Sequence, residues 1–385
     1  MPGLILILTL INFVLPAEIQ ADRAAVAPPT ASQSIEAIFN RAAELQRQGK
    51  WKEAAESYRV FLEQEPNHAG AHANLGAVLS HLGLYQEAID NYETALRLNP
   101  QLTLILFNLG AAHFRAGQFL KATETLRRFL AANPNASQAQ QLFGLALVEL
   151  GRDEEALQSL EPALTANPND PSLLFGLGLA YLRLNRPEVR PMIERLASVP
   201  QGLALAHLLR GQNFLADNEI RSATEALESA AKLSTDLPRL HFSLGTSYLR
   251  AGRNPEAITE FKKELQRQPR DFWSLYYLAF LLEAGGMLDQ ARERLEIALR
   301  VEARSPEANA LLGKILLKQG NASDAVGPLE IAVAENPKDS NIRFQLARAY
   351  QQSGRRKEAA REFTEVERLK NQDLEKERKG LSKPQ

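Results

Sequence analysis

The chain has 385 residues and no cysteine. That absence removes disulfide frameworks, thiol catalysis, cysteine-ligated zinc and lipid attachment through cysteine. It also lacks an excess of either charge, with 45 Lys+Arg against 46 Asp+Glu. A chain that binds nucleic acid or another polyanion normally carries a basic surplus, so such a partner is not expected. Aromatic residues are scarce, at 7%. Ala and Leu are plentiful, which is the composition of an all-α protein large enough to bury a sizeable core.

The N-terminus reads separately from the rest. Leu4 to Leu15 is an uncharged, mostly apolar run, shorter than the roughly 20 residues that span a bilayer as a helix. No stable membrane anchor is therefore expected. A run of this length followed by small residues has the form of a secretory signal peptide over 1–21, with cleavage at Ala21. No Lys or Arg precedes the run, a departure from the usual form. An exported location, periplasmic or secreted, follows if the leader acts as one; a cytoplasmic location follows otherwise. Residues 22–34, rich in Ala, Pro and Ser, read as a flexible linker.

A fixed period organises the chain from residue 35 onward. Pro66, Pro100, Pro134 and Pro168 stand 34 residues apart, as do Gly49, Gly83, Gly117 and Gly151, and Ala54, Ala88, Ala122 and Ala156. Three residue types sharing one period identify a repeat array. The clearest copy, Ala69 to Leu102, holds Leu75-Gly76, Gly83, Tyr85, Ala88, Tyr92, Ala95 and Pro100. On these residues the chain resembles the tetratricopeptide repeat family. The resemblance implies an all-α, right-handed superhelical solenoid of about ten helix–turn–helix repeats. Copies begin at Ile35, Ala69, Thr103, Ser137, Pro171, Ala204, Pro238, Phe272, Pro306 and Ser340.

Small residues at the eighth and twentieth places (Gly76, Ala88) let the two helices approach. Gly at the fifteenth turns the chain, and the terminal Pro separates one copy from the next. The fifth copy is one residue short and carries Pro187, Pro191, Asn185 for the turn Gly and Arg190 for the small Ala. A shortened or kinked second helix is expected there. The array then divides into repeats 1–5 over 35–203 and repeats 6–10 over 204–373. Residues 374–385 form a polar capping tail.

The apparent chemistry dissolves on inspection. His72, His207 and His241 all occupy the fourth place of their copies, so the repeat explains them and no metal is expected. Gly176-Leu177-Gly178 follows no strand, and Gly313-Lys314 lacks the Ser or Thr of a phosphate loop. No catalytic residues and no cofactor are expected.

In the family, six places of each first helix (2, 5, 6, 9, 12 and 13) line a groove. In that register the sixth place holds Asn40, Asn74 and Asn108. A row of amides can pair with the backbone of an extended peptide without reading its sequence. Further groove candidates are Phe107, Phe114 and Arg115, then Phe175 and Arg183, then Trp273, Tyr276 and Phe280. A carboxylate clamp of the chaperone-binding kind is not expected, because Phe39 and Ala43 stand where it needs Lys and Asn. The expected function is a non-catalytic scaffold that grips a peptide or helix of a partner protein. Two alternatives stay open: a recognition subunit for a separate enzyme such as a glycosyltransferase, and a structural protein that self-assembles into a homo-oligomer.

Overall fold

The computed structural model describes residues 31–381. The leader read at 1–21 lies outside them. The chain forms two compact units, Met1–Leu240 and His241–Gln385. Among the described residues every regular element is a helix.

The first unit holds six helix pairs. They are α1 (Ala31–Arg47) with α2 (Trp51–Gln64), α3 (Ala69–His81) with α4 (Tyr85–Leu98), and α5 (Ile105–Arg115) with α6 (Phe119–Ala132). Next come α7 (Ser137–Glu149) with α8 (Asp153–Ala166), α9 (Pro171–Arg183) with α10 (Val189–Ser198), and α11 (Leu203–Ala216) with α12 (Ile220–Leu233). The second unit holds α13 (Leu240–Arg250) with α14 (Asn254–Arg267) and α15 (Phe272–Ala284) with α16 (Leu288–Val301). It continues with α17 (Pro306–Lys318) and α18 (Ala322–Glu335), then α19 (Ser340–Gln352) and α20 (Arg356–Leu381). The division at Leu240 falls one pair later than the junction read from the fifth copy; across residue 203, α11 packs on α9 and α10. Helix α1 starts at Ala31, so the end of the segment read as linker is helical.

One turn recurs in all ten pairs. The amide of the sixteenth residue donates to the carbonyl of the eleventh, as in Leu84 to Leu79 at 2.9 Å and Arg355 to Tyr350 at 2.8 Å. The fifteenth residue donates to the twelfth, as in Gly83 to Ser80 at 3.2 Å. This double closure needs a left-handed residue at the fifteenth place. Gly83 takes it at φ 75°, and Asn185 and Asn218 take it at 53° and 60° where glycine is missing. Asparagine is among the few residues that reach this region at modest cost.

Glycine at the eighth place has a different role, close packing. A Cβ on Gly76 would lie 2.8 Å from Tyr92 Cε1, and one on Gly110 would lie 2.6 Å from Leu126 Cγ. Side chains of the second helix thus fill the space a larger eighth residue would need. The fourth place ties the first helix to the end of the preceding copy. His72 Nε2 meets Pro66 O at 3.0 Å, Gln140 Nε2 donates to Pro134 O at 2.7 Å, and Arg343 Nε donates to Pro337 O at 2.8 Å. The same place reaches across to the second helix, with His72 on Asn91 at 2.9 Å and His241 on Glu260 at 2.6 Å.

In the fifth pair, α10 has 10 residues where α8 and α12 have 14. The helix is shortened at its start rather than kinked. Pro191 falls in its first turn, where a missing amide hydrogen costs nothing. The lost residue also moves the register: Val189, 5% exposed, takes the buried place, while Arg190 turns outward to solvent.

Candidate protein-binding face

In the first unit, the expected groove residues divide by depth. Asn40 on α1 is exposed, and Asn74 and Asn108 are half-buried. Asn74 stands near the hydroxyl of Tyr58, which donates to Gln46 Oε1 at 2.9 Å. Tyr58 is completely buried, and burial pushes its hydroxyl up to about 12.

Phe107, Phe114 and Phe175 are core residues, not surface anchors, each 5% exposed or less. The Phe107 ring lies 5.7 Å from that of Phe129, and Phe114 lies 5.4 Å from Phe119. Arg115 is half-buried. Arg183 is a strut between copies: its Nη1 donates to Val148 O at 2.5 Å and to Asp153 Oδ1 at 3.2 Å. Asp153 is nearly buried, and burial raises its carboxyl above the usual range although Arg183 acts in the opposite sense.

In the second unit, the corresponding face is open. The first helices α15, α17 and α19 are neighbours in order. Trp273 and Phe280 on α15 are 41% and 40% exposed, and Tyr276 between them is half-buried. The Trp273 ring meets Tyr276 edge-on at 5.9 Å and stacks on Tyr277 at 5.8 Å. Asp271 caps α15 by accepting from the Ser274 amide at 2.8 Å, which fixes the start of the helix carrying these rings. The hydroxyl of Tyr276 is raised by burial first, with the negative charge of nearby Glu307 on α17 adding to it.

Lys318, a groove cation by its thirteenth place, is part of this face, but the buried carboxylate beside it was missed by sequence reasoning. Glu283 on α15 is 3% exposed, with Lys314 Nζ at 3.0 Å and Lys318 Nζ at 2.5 Å. Burial would raise its carboxyl, but hydrogen bonds and charge from the two lysines outweigh that and hold it below the usual range. Arg348, at the ninth place of α19, is exposed, as is Phe344 at the fifth. Reading the ninth place alone across three copies, as Phe280, Lys314 and Arg348, would have found the change from aromatic to basic. Among the described residues no group of three or more His, Cys, Asp or Glu is placed to hold a metal ion, and no helix is long and apolar enough to cross a membrane.

Comparison with known proteins identifies the repeat. Models described as tetratricopeptide or TPR repeat match residues 36–68, 69–102, 105–136, 144–185 and 208–272, together more than half of the chain. A model described as the bacterial transcriptional activator domain matches residues 271–380. Cellulose synthase operon protein C of Xanthomonas axonopodis pv. citri is 30% identical over 157 residues, 38% of this chain and 10% of that protein. Anaphase-promoting complex subunit 3 of Schizosaccharomyces pombe is 22% identical over 172 residues, 45% of this chain and 26% of that protein. The chain thus spans about a quarter or less of these relatives. Among solved structures, the hetero-tetramer Cut9-Hcn1 of the anaphase-promoting complex superimposes with a TM-score of 0.54. It shares 14% identity over 88% of this chain and 81% of the other, a likeness of fold alone. The recurring turn, the eighth-place glycine and these matches agree: the chain belongs to the tetratricopeptide repeat family of protein-interaction scaffolds.

Proposed function

We propose that the chain is a non-catalytic scaffold that holds a segment of a partner protein on the first-helix face of α15, α17 and α19. The observation that carries this reading is the exposure of Trp273 and Phe280 on one helix face. Large aromatic side chains left in water on one face mark a partner surface, and such rings dominate binding energy once covered. The non-catalytic part is supported by how the polar side chains are used. His72 and His241 bridge helices, and Arg183 links copies.

The test is photo-crosslinking in the native host, with a benzophenone amino acid replacing Trp273. The expected result is a protein adduct that is missing when the same group replaces Arg221, an exposed residue of α12. Identical adducts from both positions, or none from Trp273, would refute the reading. The leader supports a second part of the proposal, that the scaffold works outside the cytoplasm.

A further inference from the structure

The ninth-place row of α15, α17 and α19 is graded in chemistry, from Phe280 through Lys314 to Arg348. At the α15 edge stand Trp273 and Phe280. On α17, Lys314 and Lys318 share the single carboxylate of buried Glu283, so the trio keeps one positive charge. On α19 exposed Arg348 adds another. Glu307 stands near Tyr276, at the N-terminal end of α17. It disfavours acidic groups there and leaves the ninth-place row as the favourable track.

Packed helices lie about 8–10 Å apart. A polyproline II segment repeats every 3 residues with a rise of about 3.1 Å per residue, roughly 9 Å per turn. A peptide in that conformation, crossing the helices, would present every third side chain to successive first helices. Resting on the scaffold function proposed for this face, we propose that the bound segment is an extended acidic peptide with one aromatic residue, followed at the third and sixth positions by carboxylates. The aromatic side chain lies against Trp273 and Phe280, and the carboxylates meet Lys314 and then Arg348. The extended form is already populated in unfolded chains, so little ordering is needed to bind.

Of the 2 tryptophans, Trp51 lies in the first unit, so a Trp51→Phe chain reports on this face through Trp273 alone. The probe is the full-length variant titrated with the peptide Phe-Gln-Pro-Glu-Gln-Pro-Glu. The controls are the same peptide with both Glu replaced by Lys, and one with each Glu moved one position earlier. The expected result is a saturable change in Trp273 emission, with the first peptide binding about 10-fold tighter than either control. Arg348→Glu, with unchanged helix content by circular dichroism, weakens the Glu peptide about 10-fold and favours a peptide with Lys at the last position.

Equal binding of the Glu and Lys peptides, or no effect of Arg348→Glu, overturns the acidic-peptide proposal. Crosslinked adducts at Trp273 without any response to the peptides overturn it while leaving the scaffold reading intact. An emission change that tracks protein concentration without peptide assigns the face to a second copy and also overturns it.

Discussion

Gly83→Ala isolates the cost of the recurring turn. No atom lies within 4 Å of the place a Cβ would take at Gly83, so the substitution creates no clash. What it changes is the backbone, held at φ 75°. An L-residue in the left-handed region costs about 1–2 kcal/mol, partly offset by the smaller entropy that alanine has to lose on folding. The net expectation is about 1 kcal/mol. The Leu84 amide, bonded to Leu79 O across this turn, reports it locally by hydrogen exchange. Its exchange should speed up about 5-fold in Gly83→Ala. Gly83→Asn should fall between wild type and alanine, because Asn185 and Asn218 already hold the same conformation. Unchanged exchange in the alanine variant would refute the reasoning, and so would an asparagine variant as fast as alanine.

Three further outcomes rest on particular groups. His113 is 2% exposed, and burial lowers its pKa. The unfolded chain, near the ordinary value of about 6.5, therefore binds the proton more readily. The stability this His contributes when neutral is present above that value and is lost as pH falls below it, by up to about 1.4 kcal/mol per pH unit. Urea midpoints should drop between pH 7 and pH 5, less steeply in His113→Gln; an unchanged slope would count against it. Arg183→Met strands nearly buried Asp153 and should cost about 1–2 kcal/mol. In a double-mutant cycle with Asp153→Asn, purely additive losses would show that the pair is not coupled. Leu8→Arg breaks the apolar run of the leader. Fractionation of the native host should then find the full chain retained in the cytoplasm, and unaltered export would remove the leader from the proposal.

The sequence displayed the register of this fold more fully than its depth. Register depends on residues that permit only one local geometry: glycine at the fifteenth place, proline at the end, and small residues where helices cross. Even the exceptions obey it, since Asn185 adopts the turn that glycine makes elsewhere. Depth depends on pairs of side chains from different copies, which no single place displays. Phe107 and Tyr276 share the fifth place, yet Phe107 is buried beside Phe129 while Tyr276 is half-buried on an open face. Arg183 and Arg348 are both cations at groove places. Both side chains are exposed, but Arg183 has Asp153 and a backbone carbonyl within hydrogen-bond distance and links two copies. The lost residue before Val189 was visible as a count, but its effect on Arg190 needed the packed register.

The closed packing around α9 has a volumetric cause. On α9 the sixth place is Gly176, and Leu145 of α7 fills its space, 2.5 Å from where a Cβ would stand. Gly178, two residues on, is filled by Leu209 of α11, at 2.2 Å. Two glycines on one helix thus admit side chains from the helices on both sides. Leu145 and Leu209 are both completely buried there. On α15 the sixth place is Tyr277 and the eighth is Ala279. Tyr277 fills its own space with a ring stacked on Phe261 and Trp273, so no neighbouring side chain can enter there. Trp273 and Phe280, on the same helix, stay in water. Interiors tolerate few voids, so volume supplied locally by tyrosine excludes volume supplied by a neighbouring copy. Between α9 and α15, the glycines of the one admit side chains from both neighbours and the tyrosine of the other occupies that volume itself.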